Sequence, residues 1–136
     1  RCQPFEGPLA GVTLQGRIDR IDATPTGPLV LDYKTGRAKD LKDRLKTPLE
    51  DTQLAVYALL MESDPALQAA YLAMDEPDAL VTVPHPEVSA TAQVLRAGLQ
   101  ADLSAVLAGQ PLPALGEGRV CDHCEARGLC RKDDLA

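Results

Sequence analysis

The sequence lacks a long apolar run, a secretory signal and an excess of positive charge. No apolar stretch approaches the roughly 20 residues that a membrane-spanning helix needs, and the first residues do not form a secretory signal. We therefore expect a soluble, cytoplasmic protein without membrane contacts. The net charge of −6 at pH 7 argues against a generally basic surface that coats nucleic acid. It does not exclude a nucleic-acid site at which divalent cations offset the acidic charge.

The sequence also lacks an initiator methionine. Because it begins with Arg1, we expect it to be a piece of a longer polypeptide. Its 136 residues suffice for one domain with a hydrophobic core and are too few for two domains of ordinary size. A composition of 45% hydrophobic and 25% charged residues predicts a globular fold rather than disorder.

Cysteines are few and unevenly placed. Besides Cys2, the other three, Cys121, Cys124 and Cys130, fall within ten residues in CDHCEARGLC. This C-x2-C-x5-C spacing suits a metal site in a cytosolic protein better than a disulfide framework. The alternatives are a zinc site completed by His123 or Cys2, and an iron–sulfur cluster with a fourth thiolate. His123 is poorly placed to close a chelate, because it lies between the first two cysteines.

The first third of the chain predicts a β-hairpin. Alternation of apolar and polar residues from Leu9 to Asp22 predicts one strand. A turn cluster from Thr24 to Pro28 separates it from a second strand, LVLDYK, and Gly36 follows. The basic run from Arg37 to Lys46 then predicts a solvated, polar loop.

A first helix is predicted to begin near Thr47. This threonine can cap the helix, Pro48 suits its first turn, and Glu50 and Asp51 lie where the helix dipole favours negative charge. Helical spacing predicts an amphipathic helix, whose buried stripe would comprise Leu54, Tyr57, Ala58 and Met61.

The second half predicts two strands and a second helix. The strands are QAAYLAMD and ALVTVP, and the helix opens at Pro86 and ends at Gly109. The helix would bury a stripe of Leu95, Leu99, Leu103, Val106 and Leu107. The order of elements predicts an α/β (α+β) fold with a mixed central sheet flanked by helices. We assign residues 1–109 to this core and residues 110–136 to a cysteine-rich, metal-binding tail.

Carboxylates gather near the ends of the first two strands. GRIDRID supplies Asp19 and Asp22, and LDYK supplies Asp32 and Lys34. Neighbouring carboxylates repel unless a cation lies between them, and Mg²⁺ or Mn²⁺ suits their oxygens. Alternation puts Asp32 and Lys34 on one face, while Tyr33 points away and leaves its backbone carbonyl as a further ligand. A lysine there can orient a nucleophile and stabilise charge on a phosphate. A surface salt-bridge cluster is the alternative.

Three motifs in order resemble those of the PD-(D/E)XK nuclease superfamily, and within it the RecB/AddB-type nuclease domain. They are GRIDRID, LDYKTG with Asp32 thirteen residues after Asp19, and QLAVY. The similarity extends from about Gly16 to the C-terminus and implies a restriction-endonuclease-like core. It also implies roles for five residues. Asp19 and Asp32 would be the metal-binding carboxylates, Lys34 the catalytic lysine, and Gln53 and Tyr57 the polar pair of a Q-x-x-x-Y helix facing the site.

The resemblance implies a divalent-metal-dependent DNA exonuclease, joined to a helicase domain or subunit in double-strand-break repair. The basic residues after Gly36 could then contact DNA phosphates. One alternative is an inactive nuclease-like module for DNA binding or assembly. Another is a structural domain that a metal bound to the cysteine tail stabilises.

The resemblance also implies a [4Fe–4S] cluster bound by Cys121, Cys124 and Cys130, with a fourth cysteine upstream in a CPY- or CPF-like motif. The sequence has no such motif, and Cys2, in RCQPFEG, is in a different context. The helix carrying the family's upstream acidic or histidine residue is missing as well. We therefore expect the fourth ligand and one part of the active site to precede Arg1, and a folded but inactive piece is one expected outcome.

Overall fold

Six strands and four helices make up the part of the chain that the structure describes. The computed structural model describes residues 2–4, 12–47, 49–61, 64–77, 79–111, 121 and 124–130. The elements are β1 (Cys2–Pro4), β2 (Thr13–Gln15), β3 (Arg20–Thr24), β4 (Gly27–Lys34), α1 (Ala38–Arg44), α2 (Gln53–Leu60), β5 (Gln68–Ala73), β6 (Val81–Pro84), α3 (Val88–Leu107) and α4 (Arg127–Cys130). Among the described residues, no helix combines the length and apolar character needed to cross a bilayer.

The central sheet has four strands in the order β3-β4-β5-β6. β4 pairs antiparallel with β3 and parallel with β5, and β5 pairs antiparallel with β6. β1 and β2 form a separate antiparallel pair. Helices pack against this sheet, and α2 also contacts α3. The predicted mixed sheet with helices packed on it is confirmed.

The predicted strand from 9 to 22 is wrong as one continuous element. Among its described residues the chain forms β2, has no strand at 16–19, and then forms β3. The two halves pair in different sheets, β2 with β1 and β3 with β4. Between them, at Gly16, an added Cβ would lie 2.6 Å from Leu60 Cδ1, so the backbone there packs closely on α2. The second half of the prediction is confirmed, since β3 and β4 form a hairpin in which Thr24 pairs with Gly27.

The basic run from 37 to 46 was predicted as a loop, and it forms α1. Ala38 and Leu41 are buried, and Leu45 packs against the same core. These apolar positions recur at helical spacing and face β5 and β6. The charged side chains between them occupy the outer surface, so the run is an amphipathic helix with a basic exposed face.

α2 begins later than predicted. Its first residue is Gln53 and its N-cap is Thr52, whereas Pro48 lies outside the described residues. Leu49 has a left-handed backbone with φ 66°, which a helix cannot contain. The residues expected to cap or charge the first turn therefore precede the helix: Thr47, Glu50 and Asp51.

The burial of α2 also exceeds the prediction. Leu54, Tyr57 and Ala58 are buried as expected, and Met61 is half-buried at the C-cap. Three further residues are buried on other sides of the helix: Ala55, Leu59 and Leu60. Because it packs between the sheet and α3, α2 is buried on most sides rather than amphipathic.

β5, β6 and the end of α3 confirm the predicted elements. α3 ends at Leu107, and Gly109 adopts the positive φ of 77° that a helix end favours. The predicted buried stripe of α3 is only partly correct. Leu95 and Leu99 pack against the core and Leu103 is half-buried, but Val106 and Leu107 are exposed. The fully buried residues of the helix are Val88 and Ala92.

Candidate active site

The β3–β4 hairpin brings Asp19 beside Asp32. Arg20 pairs with Leu31 in the antiparallel register, so Asp19, one residue before β3, reaches the level of Asp32 near the end of β4. The Tyr33 N–H donates a hydrogen bond of 3.3 Å to Asp19 Oδ2. This contact attaches the exposed Asp19 to the end of β4, so the two predicted metal-binding carboxylates come together.

Asp32 is a buried carboxylate with three partners. It is 2% exposed. Its Oδ1 accepts hydrogen bonds of 2.7 Å from Gln53 Nε2 and 3.1 Å from the Tyr57 hydroxyl. Its Oδ2 lies 2.9 Å from the Lys34 ammonium in an ion pair. Two neutral donors and one cation thus compensate the burial of this charge.

Gln53 connects Lys34 to Asp32. Its Oε1 accepts a hydrogen bond of 2.5 Å from Lys34 Nζ, while its Nε2 donates to Asp32 and, at 3.0 Å, to the Tyr57 hydroxyl. This amide orientation is required, because an ammonium can only donate and an ionised carboxylate can only accept. The i, i+4 spacing of Gln53 and Tyr57 on α2 directs both side chains to Asp32. The structure therefore brings Asp19, Asp32, Lys34, Gln53 and Tyr57 into one cluster.

Tyr57 serves this cluster as a neutral donor. Burial raises the pKa of its hydroxyl, the negative charges of Asp32 and Asp19 act in the same direction, and the hydrogen bond from Gln53 opposes them. The hydroxyl therefore keeps its proton at neutral pH and donates a hydrogen bond to Asp32.

The other face of the hairpin carries a separate surface network. Tyr33 is 38% exposed and points away from Lys34, as alternation predicts. Its hydroxyl accepts a hydrogen bond of 3.4 Å from Arg20, which also pairs with Asp22 at 2.7 Å. Asp22, the second aspartate of GRIDRID, thus takes part in a surface ion pair outside the cluster.

Two residues that the sequence did not assign to the site, Tyr71 and Asp51, also adjoin it. Tyr71 is fully buried, and Lys34 Nζ lies 5.2 Å from the centre of its ring. Its hydroxyl donates a hydrogen bond of 2.5 Å to Asp51 Oδ1. The position of Tyr71 follows from the parallel register, which pairs it with Asp32. A tyrosine within an otherwise apolar strand can be recognised in the sequence. The alignment of two strands that are distant in sequence cannot.

The carboxylate pair fits a hard divalent cation. Asp32 Oδ2 is buried and, within the described residues, makes no hydrogen bond beyond its ion pair with Lys34. Asp19 adds exposed carboxylate oxygens beside it. No three His, Cys, Asp or Glu side chains in the described ranges are arranged to hold a metal. Carboxylate oxygens are the ligands that Mg²⁺ and Mn²⁺ prefer, and one or two carboxylates can bind such an ion together with water and substrate phosphate.

The described residues of the cysteine tail show no comparable cluster. Cys121, Cys124 and Cys130 lie at or near α4, and Cys124 is exposed. His123 lies outside the described residues. Within the part of the tail that the structure describes, the three cysteines do not form a metal-binding group, so the predicted metal site there stays a prediction.

Comparison with known proteins gives one match. The sequence model of the PD-(D/E)XK nuclease superfamily matches residues 1–131. Comparisons with curated proteins and with solved structures gave no match. The mixed four-stranded sheet with its packed helices is consistent with the restriction-endonuclease-like fold of that superfamily.

Proposed function

Because the chain belongs to the PD-(D/E)XK nuclease superfamily, whose members are typically metal-dependent nucleases, we propose that it is a DNA nuclease of the RecB/AddB type. Residues 1–109 would be the nuclease core and residues 110–136 the metal-binding tail. The observation that carries the proposal is the cluster around Asp32. A surface salt-bridge cluster would not bury this aspartate to 2% exposure and surround it with a lysine, a glutamine and a tyrosine.

The side chains have distinct roles in this proposal. Asp19 and Asp32, with the Tyr33 carbonyl, would hold Mg²⁺ or Mn²⁺. The bound cation supplies an activated water and offsets charge on the phosphate. Lys34 has three N–H donors, of which one points to Gln53 and another faces Asp32. The remaining N–H is available to orient the attacking water or to stabilise charge developing on the phosphate. Gln53 and Tyr57 fix Asp32 by donating to its Oδ1.

The finer assignment rests on the order of the three motifs GRIDRID, LDYKTG and QLAVY. Their resemblance to RecB/AddB-type domains supports an exonuclease that acts in the cytoplasm on DNA, with a helicase domain or subunit as its partner in double-strand-break repair. Covalently closed circular DNA tests the exonuclease assignment, because an exonuclease requires an end and leaves this substrate intact.

The decisive experiment compares cleavage by the longest natural chain that contains this domain with cleavage by its variants. Linear DNA is incubated with the protein and Mg²⁺ or Mn²⁺. We expect Asp32→Ala and Lys34→Ala each to lower the rate by about 10²-fold or more, the scale of a lost catalytic group. Asp22→Ala is the matched control, because it removes an aspartate of the same motif from the surface ion pair. Equal rates for the parent, Asp32→Ala and Lys34→Ala would refute the site.

We also propose that Cys121, Cys124 and Cys130 contribute three ligands to a [4Fe–4S] cluster in the intact protein, with zinc as the alternative. The C-x2-C-x5-C spacing supports this. Anaerobic purification followed by iron, acid-labile sulfide and zinc analysis distinguishes the two. A brown protein that loses its iron on Cys124→Ser is the expected result. A colourless protein containing zinc contradicts the cluster.

A further inference from the structure

A buried carboxylate lies next to the proposed site, and none of the proposed catalytic roles involves it. Asp51 is 8% exposed and lies two residues before the start of α2. Its Oδ1 accepts two hydrogen bonds, 2.5 Å from the Tyr71 hydroxyl and 3.3 Å from the Gln53 N–H. Its Oδ2 lies 3.0 Å from Arg44 Nη2 of α1. One carboxylate therefore joins the start of α2 and the middle of β5 to the end of α1.

Both hydrogen-bond partners of Asp51 touch Lys34. The Tyr71 ring lies under the Lys34 ammonium at 5.2 Å, a cation–π distance. The Gln53 side chain accepts from the same ammonium at 2.5 Å. The Lys34 ammonium therefore contacts Asp32, Gln53 and Tyr71. Asp51 is hydrogen-bonded to two of these three residues, Gln53 and Tyr71.

We propose that Asp51 is a positioning residue for Lys34, acting through the Tyr71 ring and through the first residue of α2, Gln53. Its bond to the Tyr71 hydroxyl fixes the position of the ring beneath the ammonium. Its bond to the Gln53 N–H fixes the backbone from which the glutamine side chain reaches Lys34. The ion pair with Arg44 offsets the cost of burying the carboxylate. The kinetic part of the test rests on the proposed nuclease function, and the spectroscopic part does not.

The spectroscopic test observes Lys34 without DNA or metal. In protein labelled with 13C-lysine, the Lys34 ε-methylene signal is assigned by its loss in Lys34→Ala. Because the ammonium lies over the Tyr71 ring, we expect this signal to be displaced upfield of the other lysines. Asp51→Ala should move it towards them. Asp51→Asn should preserve its position, since the amide oxygen can still accept from Tyr71 and Gln53.

The control is Asp64→Ala. Asp64 Oδ1 accepts a hydrogen bond of 2.9 Å from the Ala66 N–H, the same i to i+2 contact that Asp51 makes with Gln53. It has no role in the proposed site, so its removal should leave the Lys34 signal unchanged. Tyr71→Phe is the second test variant, in case Asp51→Ala does not fold. It keeps the ring, removes the hydroxyl that binds Asp51, and should move the Lys34 signal in the same direction.

The kinetic test uses the longest natural chain, linear DNA and Mg²⁺. We expect Asp51→Ala to lower kcat about tenfold or more, because small displacements of a catalytic group are costly. KM for DNA should change less than about twofold, since a residue that does not touch the substrate affects the chemical step and not ground-state binding. Asp51→Asn should recover most of the lost kcat.

The outcomes separate the two proposals. An unchanged Lys34 signal in both Asp51→Ala and Tyr71→Phe overturns the positioning role, even if Lys34→Ala abolishes cleavage. Equal cleavage by the parent and Lys34→Ala overturns the nuclease site, and the Lys34 signal then decides the positioning role alone. A fall in kcat with Asp51→Asn as large as with Asp51→Ala would show that the charge of Asp51, and not its two hydrogen bonds, is what matters.

Discussion

Asp32 and Lys34 compensate each other's burial. The side chain of Asp32 is 3% exposed and that of Lys34 is 24% exposed, with 2.9 Å between Oδ2 and Nζ. Removing one member of such a pair leaves a charge with reduced solvation, whereas removing both charges leaves none. The pair should therefore respond non-additively to substitution.

This coupling gives a prediction for folding stability. Lys34→Met keeps the length of the side chain and removes its charge, so it should lower the free energy of unfolding by about 2 kcal/mol at pH 7. Adding Asp32→Asn should restore most of the loss, because the neutral amide no longer needs a cation. Urea denaturation in the presence of EDTA measures both variants. If the double variant is no more stable than Lys34→Met, the energetic cost of burying Asp32 does not depend on Lys34.

The five residues of the proposed site could be named from the sequence because three motifs in order, GRIDRID, LDYKTG and QLAVY, resemble those of the PD-(D/E)XK nuclease superfamily. Asp32 and Lys34 alternate on one strand, and Gln53 and Tyr57 lie one helical turn apart. Asp51 and Tyr71 could not be found in this way. Their contact depends on the parallel pairing of β4 with β5 and on a delayed start of α2, and neither leaves a periodic pattern.

At the scale of single elements, Gly27 sets the position of the β3–β4 turn. Its φ is 123°, and an added Cβ would lie 2.4 Å from the Ala66 carbonyl oxygen. Both the left-handed backbone and the contact with another backbone segment require glycine. The hairpin that carries Asp19 and Asp32 therefore depends on this residue.

We expect Gly27→Ala to lower the free energy of unfolding by about 2–3 kcal/mol, the scale of backbone strain together with a steric clash. Gly98→Ala is the matched control in α3, where an added Cβ meets no atom within 4 Å. It should stabilise the fold by about 0.5–1 kcal/mol, because alanine favours a helix over glycine. Chemical denaturation of both variants tests this, and effects of the same sign would contradict it.

Helices and strands were predicted correctly where apolar residues recur often at the expected spacing. They were predicted incorrectly where charged residues outnumber the apolar ones. In the run from 37 to 46 only Ala38, Leu41 and Leu45 mark the inner face, and the five basic residues of the run obscure them. The exposed end of α3 has a different cause. α3 has 20 residues and α2 has 8, so at 1.5 Å per residue α3 is about 18 Å longer than α2. Val106 and Leu107 lie at the exposed end of α3, and periodicity alone cannot show how much of a long helix its neighbours cover.

At the scale of the whole molecule, charge is unevenly distributed. The run from 37 to 46 contains five basic and two acidic side chains and carries a formal charge of +3, so the remaining residues together carry −9. α1, which makes up most of this run, begins four residues after Lys34 and shows its charged face to solvent. A DNA backbone approaching the proposed site would be repelled by the net negative charge of the remaining residues and attracted by the run from 37 to 46.

The last prediction concerns how the chain binds DNA. Lys39 and Lys42 are exposed on α1, whereas Arg44 and Lys46 already pair with aspartates. In a Lys34→Ala background, which keeps both carboxylates for Mg²⁺ and is expected to slow cleavage strongly, we expect Lys39→Ala and Lys42→Ala each to weaken DNA binding. If each lysine contacts one phosphate, the slope of log affinity against log salt should decrease by about 0.9 per substitution. Arg96→Ala removes one positive charge from α3 and should leave the slope unchanged. Fluorescence anisotropy over a salt series measures the slopes. An equal change for Arg96→Ala would show that DNA responds to net charge alone, and unchanged slopes for both lysines would remove α1 from the DNA-binding surface.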